Sequence, residues 1–181
     1  MFVELSKVKN LMSKFGGHPM AAGLTLPREH YQEFHDRLNE LTSLTEKDFV
    51  AKVSIDIAMP VGYISEKLIE ELKILEPFGP ANPKPLFAQK NLSILSARIL
   101  GANRNVLKMR LADENGYEID AIYFGNIQDF NEYLTSHFGE NEVEYMYQGR
   151  RNSVRMSFTY YPDVNEFRGV KTLQIIIQNN Q

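Results

Sequence analysis

Four prolines, at positions 77, 80, 83 and 85, with Gly79 among them, leave the stretch from Leu75 to Phe87 unable to hold a regular helix or an inner strand. Each proline locks its own φ and removes a backbone donor, so a run of them reads as a stiff connector. Helical spacing dominates before this connector and strand-like alternation after it. The connector leads into a β-rich half, and the whole reads as an α+β architecture.

After the connector, residues 86–100, 106–113 and 117–124 read as three successive strands. Gly101-Ala102-Asn103 and Asp113-Glu114-Asn115-Gly116 supply the turns between them. Ile127, Phe130, Leu134 and Phe138 recur at helical spacing and predict a helix over 126–138. Two further strands are expected near 142–161 and 170–178, the first interrupted around Gly149. The sum is an OB-like antiparallel β-barrel with inserted helices.

Before the connector, Val8, Leu11, Met12 and Phe15 predict a helix over 4–14. A short strand over 23–26 follows, and Pro27 opens a second helix whose apolar face is Tyr31, Phe34, Leu38 and Leu41. Residues 49–58 alternate as a strand, with Val53, Ile55 and Ile57 on one side and Lys52, Ser54 and Asp56 on the other. Pro60 starts a helix lined by Ile64, Leu68, Leu72 and Leu75. The expected organisation is therefore a helix-strand-helix unit at 1–45, a connecting strand, helix and Pro-rich linker at 46–85, and the barrel at 86–181.

Between the first helix and the short strand lies Phe15-Gly16-Gly17-His18-Pro19-Met20-Ala21-Ala22-Gly23. Adjacent glycines place no Cβ in the way, so a phosphate can approach main-chain N–H groups closely. His18 and Pro19 suit the first turn of a helix, where free N–H groups attract anions. His18 adds a donor that changes charge near neutral pH. On the residues alone the segment reads either as a structural Gly-Gly turn beside a capping His or as a phosphate site made by Gly16, Gly17 and His18.

The formal net charge of −3 excludes a uniformly basic nucleic-acid binder, yet the average conceals clusters. Arg98, Arg104, Lys108 and Arg110 occur in one run with no acid among them. Arg150, Arg151 and Arg155 occur in another, interleaved with Tyr145, Tyr147, Phe158, Tyr160 and Tyr161, again with no acid. Strand side chains alternate, so Leu107, Met109 and Leu111 point one way and Lys108 and Arg110 the other. Val154, Met156, Phe158 and Tyr160 likewise oppose Arg155, Ser157, Thr159 and Tyr161. Cations for phosphates and rings for bases are what sequence-independent single-strand binding needs. The expected nucleic-acid contacts are Arg104, Lys108, Arg110, Arg155, Tyr161, Arg168 and Lys171, the last two flanking a turn at Gly169. Asp120 reads as a structural hydrogen-bonding residue.

Phe15 to Leu26 (FGGHPMAAGLTL) resembles the Gly-Gly-His motif of the RecJ family of single-strand-specific DNA exonucleases. Leu75 to Phe87 (LEPFGPANPKPLF) is similar to that family's Pro-Phe-Gly linker, except that Ala81 stands where the family usually carries Gly. Val164 to Ile177 (VNEFRGVKTLQIII) is similar to the stretch near the end of its OB domain. The resemblance implies that residues 1–45 are part of a DHH-associated domain and that the metal-bearing DHH domain of the same protein lies outside this chain. It implies a bacterial parent enzyme that degrades single-stranded DNA from the 5′ end with Mn²⁺ or Mg²⁺, in recombination and repair.

The chain itself has no cysteine and only His18, His30, His35 and His137 as imidazoles, with no Asp-His-His triplet. No catalytic residue, no metal site and no bound cofactor is expected in it, and single-stranded DNA is the expected partner. The alternative is a structural or protein-docking module that contacts a single-strand-binding protein or another repair factor, and a catalytically inactive relative is a third reading. No apolar run reaches membrane-spanning length and no signal peptide is evident, so the expected location is the cytoplasm with no membrane contact.

Overall fold

The computed structural model describes every residue except Met20, Ala51 and Gln181. It resolves into two units, Met1–Val53 and Ser54–Gln181.

The first unit begins with α1 (Phe2–Ser6) and a 3-10 turn (Lys9–Leu11), and Val8 and Leu11 are buried. The helix expected over 4–14 is therefore broken, and its last residues enter a strand. The strands β1 (Lys14–His18) and β2 (Ala21–Thr25) pair antiparallel, with Gly16 opposite Gly23 and His18 opposite Ala21. The Gly-Gly-His segment is thus a hairpin arm, and neither an open loop nor a helix start; Met20 lies outside the described residues. The physical reason is local, since glycines weaken a helix by about 1 kcal/mol each and the small residues on both arms pair readily. Pro27 precedes a 3-10 turn (Arg28–His30) and α2 (Tyr31–Leu41), as its fixed φ favours. Glu4 ties the unit together: it pairs with Lys7 at 2.8 Å and accepts from the Ser43 hydroxyl at 2.8 Å and the Ser43 N–H at 3.1 Å.

The second unit opens with β3 (Ile57–Ala58), which pairs in parallel with the start of the next strand, Ile57 opposite Phe87. The strand expected over 49–58 shrinks to these two residues, and Ala51 lies outside the described residues. The helix α3 (Glu66–Lys73) is capped by the Ser65 hydroxyl, which accepts from the Leu68 N–H at 3.2 Å. Its Ile69 and Leu72, with Val61 and Ile64, join the same buried cluster as the sheet residues.

The sheet comprises β4 (Phe87–Leu100), β5 (Val106–Ala112), β6 (Glu118–Tyr123), β7 (Arg155–Phe167) and β8 (Val170–Asn180). The order is β4-β5-β6-β8-β7, and β7 returns to pair with β4. That closure makes a five-stranded barrel in which β6 and β8 run parallel and the other barrel pairs antiparallel. The long β4 serves both sides, pairing with β7 through Phe87–Ser93 and with β5 through Ser93–Leu100, and bulges mark the change.

Leu92, Ile94, Leu107, Met109, Leu111, Ile119, Phe158, Tyr160 and Ile175 fill the barrel. Two helices lie between β6 and β7: α4 (Ile127–Phe138), capped by the Asn126 side chain on the Gln128 and Asp129 N–H groups, and α5 (Glu140–Tyr147). Phe130, Leu134, Val143 and Met146 extend the core into them.

The strand expected over 142–161 is thus half helix. Val143, Tyr145 and Tyr147 mimic strand alternation, but Val143 and Met146 also share a helical face, and these are the two buried. Gly139, at φ 88°, ends α4 and lets the chain start again at once.

Candidate nucleic-acid interface

The outer face of the barrel is set by the pleat. Because Leu107, Met109 and Leu111 are buried, Lys108 and Arg110 stand together outside on β5. The register places Arg98 of β4 opposite Lys108, and Asp120 of β6 opposite Arg110. Ser96, Arg98, Lys108, Arg110 and Asp120 line one shallow depression of about 250 Å³.

The two β5 cations have ion-pair partners. Lys108 Nζ lies 2.7 Å from Asp120 Oδ2, and Arg110 donates to Asp120 Oδ1 at 2.9 Å and to Glu118 Oε2 at 2.9 Å. Burial pushes the Asp120 carboxyl up, but the Lys108 and Arg110 hydrogen bonds and charges outweigh it and hold the group below its ordinary value. The hydrogen bond that Arg110 donates to Glu118, with the one to Asp120, pushes the guanidinium further up. Asp120 is the structural hydrogen-bonding residue expected, and it also neutralises cations expected to hold phosphates.

Two turns of the barrel carry further basic residues. Arg104, exposed and at φ 52°, sits in the turn between β4 and β5, where its N–H donates to the Gly101 carbonyl at 3.0 Å. Arg168 and Gly169, at φ 52° and 78°, form the two-residue turn between β7 and β8, a pair of positive φ values suited to a tight hairpin. Arg168 lies 5.2 Å over the Phe167 ring, and Lys171 pairs across the hairpin with Glu166. In OB barrels the face of the second and third strands, with the loops joining strands one to two and four to five, binds oligonucleotides. Lys108 and Arg110 lie on the second barrel strand, and Arg104 and Arg168 lie in those two loops.

Tyr161 is placed differently. It is buried, with Phe78 edge-on at 6.2 Å between centroids and Lys84 Nζ 3.6 Å above the ring. A ring covered on this scale has no open face for a base, so its expected stacking role is corrected to one of packing under the Pro-rich segment. Strand alternation sets it apart from Phe158 and Tyr160, but tertiary contacts from residues 78 and 84 cover it.

Arg155 lies on another side of β4. Its Cα partner is Ser93, and with Ser93, Leu95, Glu142, Arg150, Arg151 and Asn152 it lines an open groove of about 750 Å³. Arg150 and Arg151 are visible in the sequence only as part of an acid-free run.

In the first unit Gly16, Gly17 and His18 are exposed along β1. A Cβ on Gly17 would collide with the Ala21 carbonyl oxygen, whereas one on Gly16 would meet nothing within 4 Å. Gly17 is thus required by the hairpin, and Gly16, facing Gly23, leaves a strip of bare backbone. Among the described residues, no three His, Asp or Glu side chains gather to hold a cation, so the donor set does not fit a metal site. Among them also, no helix is long and apolar enough to cross a membrane.

A family model described as the RecJ OB domain matches residues 55–179. The Single-stranded-DNA-specific exonuclease RecJ of Bacillus subtilis (strain 168) is 37% identical over 133 residues, covering 71% of this chain and 17% of that protein. The protein of the same name from Haemophilus influenzae is 30% identical over 175 residues, covering 95% of this chain and 27% of that protein. The chain therefore spans only a minor part of these relatives. The crystal structure of RecJ from Thermus thermophilus in complex with Mg²⁺ superposes with a TM-score of 0.65 at 19% identity, over 99% of this chain and 24% of that one, a likeness of fold.

Proposed function

The chain belongs to the RecJ OB domain family, and from that premise we propose that its barrel holds single-stranded DNA for a longer, metal-dependent 5′-to-3′ exonuclease. The observation that carries this reading is the outer β4–β5–β6 face, where Arg98, Lys108 and Arg110 line one depression, with Arg104 in the turn between β4 and β5 and Arg168 in the turn between β7 and β8. Cations spread over a strand face and its loops suit a flexible polyanion, and they require no particular base sequence.

The Asp120 and Glu118 pairs give this face a definite character. A phosphate reaching Lys108 or Arg110 must share the cation with a carboxylate, so contacts there are weak singly and sensitive to salt. Such contacts favour a strand that slides over one that is held in place, as a processive nuclease requires.

The hydrolysis itself is assigned to residues outside this chain, since the described residues do not fit a divalent cation. In the whole enzyme, Mn²⁺ or Mg²⁺ held by the DHH domain would activate the attacking water. Residues 1–45 are read as part of the DHH-associated domain. The bare backbone at Gly16 and the exposed edge of β1 would receive a substrate phosphate, with His18 beside it.

Fluorescence anisotropy with single-stranded and duplex oligonucleotides across a salt series tests the reading. Single-strand preference that weakens with salt and falls in Lys108→Ala/Arg110→Ala supports it. Absence of oligonucleotide binding by the folded chain at low salt overturns it and leaves the barrel as a structural or protein-docking module, for a single-strand-binding protein or another repair factor.

A further inference from the structure

The groove beside Arg155 has a different electrostatic state from the β5 face. Arg151 and Arg155 have no ion-pair partner among the described residues. Arg150 is placed by Tyr145, over whose ring its guanidinium lies at 4.2 Å, and by Gln148, to which it donates at 3.3 Å. Glu142, the acid among the lining residues, accepts from the Ser153 backbone N–H. Its charge closes the turn that carries the arginines, and among the described residues it makes no ion pair with them.

The turn is itself well held. The Asn152 side chain donates to the Arg150 carbonyl at 3.0 Å and accepts from the Val154 N–H at 3.0 Å, while Gly149, at φ 65°, lets the chain reverse next to Ser96. The groove opens where β4 bulges between Ile94 and Ser96, and a bulge of this kind re-aims the side chains around it.

The two cationic regions share a strand. Ser93 of β4 is opposite Arg155, and Arg98 of the same strand is opposite Lys108. At about 3.3 Å per residue, the two registers lie roughly 16 Å apart along β4. A small anion cannot bridge that span, whereas a few nucleotides of extended strand can. Guanidinium forks match phosphate oxygens in pairs, which an ammonium cannot do.

We propose that the Arg150–Arg151–Arg155 groove binds the phosphodiester backbone of single-stranded nucleic acid, so that the strand leaves the β5–β6 face, crosses β4 and ends in the groove. The inference rests on the reading of the barrel as a DNA-holding domain. It adds a path, and it moves the main electrostatic contact from Lys108 and Arg110, which are neutralised internally, to Arg151 and Arg155, which are not.

The test compares wild type, Arg151→Ala/Arg155→Ala and Arg151→Lys/Arg155→Lys by anisotropy on labelled oligo-dT over a salt series, with circular dichroism to verify folding. An oligo-glutamate peptide serves as a competing polyanion. The alanine variant is expected to lose roughly tenfold or more in affinity at low salt and to flatten the log–log salt slope by about 1.4, the equivalent of two single-strand phosphate contacts. The lysine variant is expected to recover the slope but only part of the affinity. Wild-type binding with an unchanged slope in the alanine variant overturns the groove while leaving the barrel reading intact. No oligo-dT binding by folded wild type overturns both. Oligo-glutamate binding that depends on Arg151 and Arg155, with oligo-dT binding independent of them, overturns the groove as a nucleic-acid site and makes it a protein-docking one.

Discussion

Lys108 Nζ lies 2.7 Å from Asp120 Oδ2, and the other oxygen of that carboxylate accepts from Arg110, so a single acid on β6 restrains both cations of β5. This arrangement sets the polarity of the barrel's outer face and separates it from the arginine groove. Glu118 adds a second pair to Arg110 at 2.9 Å, so Lys108 is the cation that depends on Asp120 alone.

Replacing that acid is the most direct way to see the restraint. Asp120→Asn removes the charge while keeping a side chain able to accept a hydrogen bond, and it should raise affinity for single-stranded oligonucleotides several-fold at low salt. The log–log salt slope should steepen by up to about 0.7 as Lys108 becomes available to a phosphate, Arg110 remaining paired with Glu118. Anisotropy titrations decide the matter, and an unchanged slope would show that Lys108 does not touch DNA.

The two glycines of the β1–β2 hairpin should separate in their effects. Gly17→Ala drives a Cβ into the Ala21 carbonyl oxygen, so the hairpin must open or shift, and amide exchange across 14–25 should accelerate. Gly16→Ala meets nothing within 4 Å and should leave exchange as it was. If Gly16→Ala nonetheless weakens phosphate or oligonucleotide binding, the bare backbone at that position serves binding; equal exchange rates in both variants would contradict the hairpin packing.

Acid should loosen the first unit through Glu4. Hydrogen bonds from Lys7 and then Ser43 hold its carboxyl well below the ordinary 4.5, at about 2. A depressed folded-state value means that the stabilisation is complete above about pH 4.5 and is lost as pH falls from there through about 2. Glu4→Gln should therefore remove this part of the acid sensitivity. Near-UV or fluorescence titration of wild type and variant between about pH 5 and about pH 2 would reveal it, and superimposable curves would rule it out.

The barrel should depend on the helices inserted between β6 and β7. Leu134 is fully buried, and Leu134→Ala should cost about 2–5 kcal/mol in urea unfolding. Asn126→Ala, which deprives α4 of its cap on Gln128 and Asp129, should cost about 0.5–2 kcal/mol. A loss below these ranges at Leu134 would mean that α4 and the barrel do not share one core.

Short-range patterns made much of this legible. The alternation of Leu107, Met109 and Leu111 with Lys108 and Arg110 identified inside and outside on β5 before any tertiary contact was known. The apolar face of Ile127, Phe130, Leu134 and Phe138 delimited α4 almost to the residue, and the Gly169 turn announced the β7–β8 hairpin. Patterns compatible with two periods misled: Val143, Tyr145 and Tyr147 fit a strand, but Val143 and Met146 reached the core as a helix. The Gly-Gly-His segment misled for a related reason, because glycines permit a loop and a tight hairpin alike, and only the pairing partner at Ala21–Thr25 chooses.

By itself the sequence determined much of which residues face in and out, where the chain turns and that the fold is mixed α+β, because these depend on side-chain period and on backbone rules at Gly and Pro. Which charges are free was decided only by the tertiary structure. Lys108, Arg110, Arg151 and Arg155 look equivalent in sequence, but the pairing of β6 with β5 sets Asp120 and Glu118 against the first two, whereas among the described residues the last two have no ion-pair partner. Tyr161 was likewise covered by Lys84 and Phe78 from a segment many residues away. Electrostatic and stacking capacity depend on what stands within a few ångströms, and for strands paired in a closed barrel that is a property of the fold.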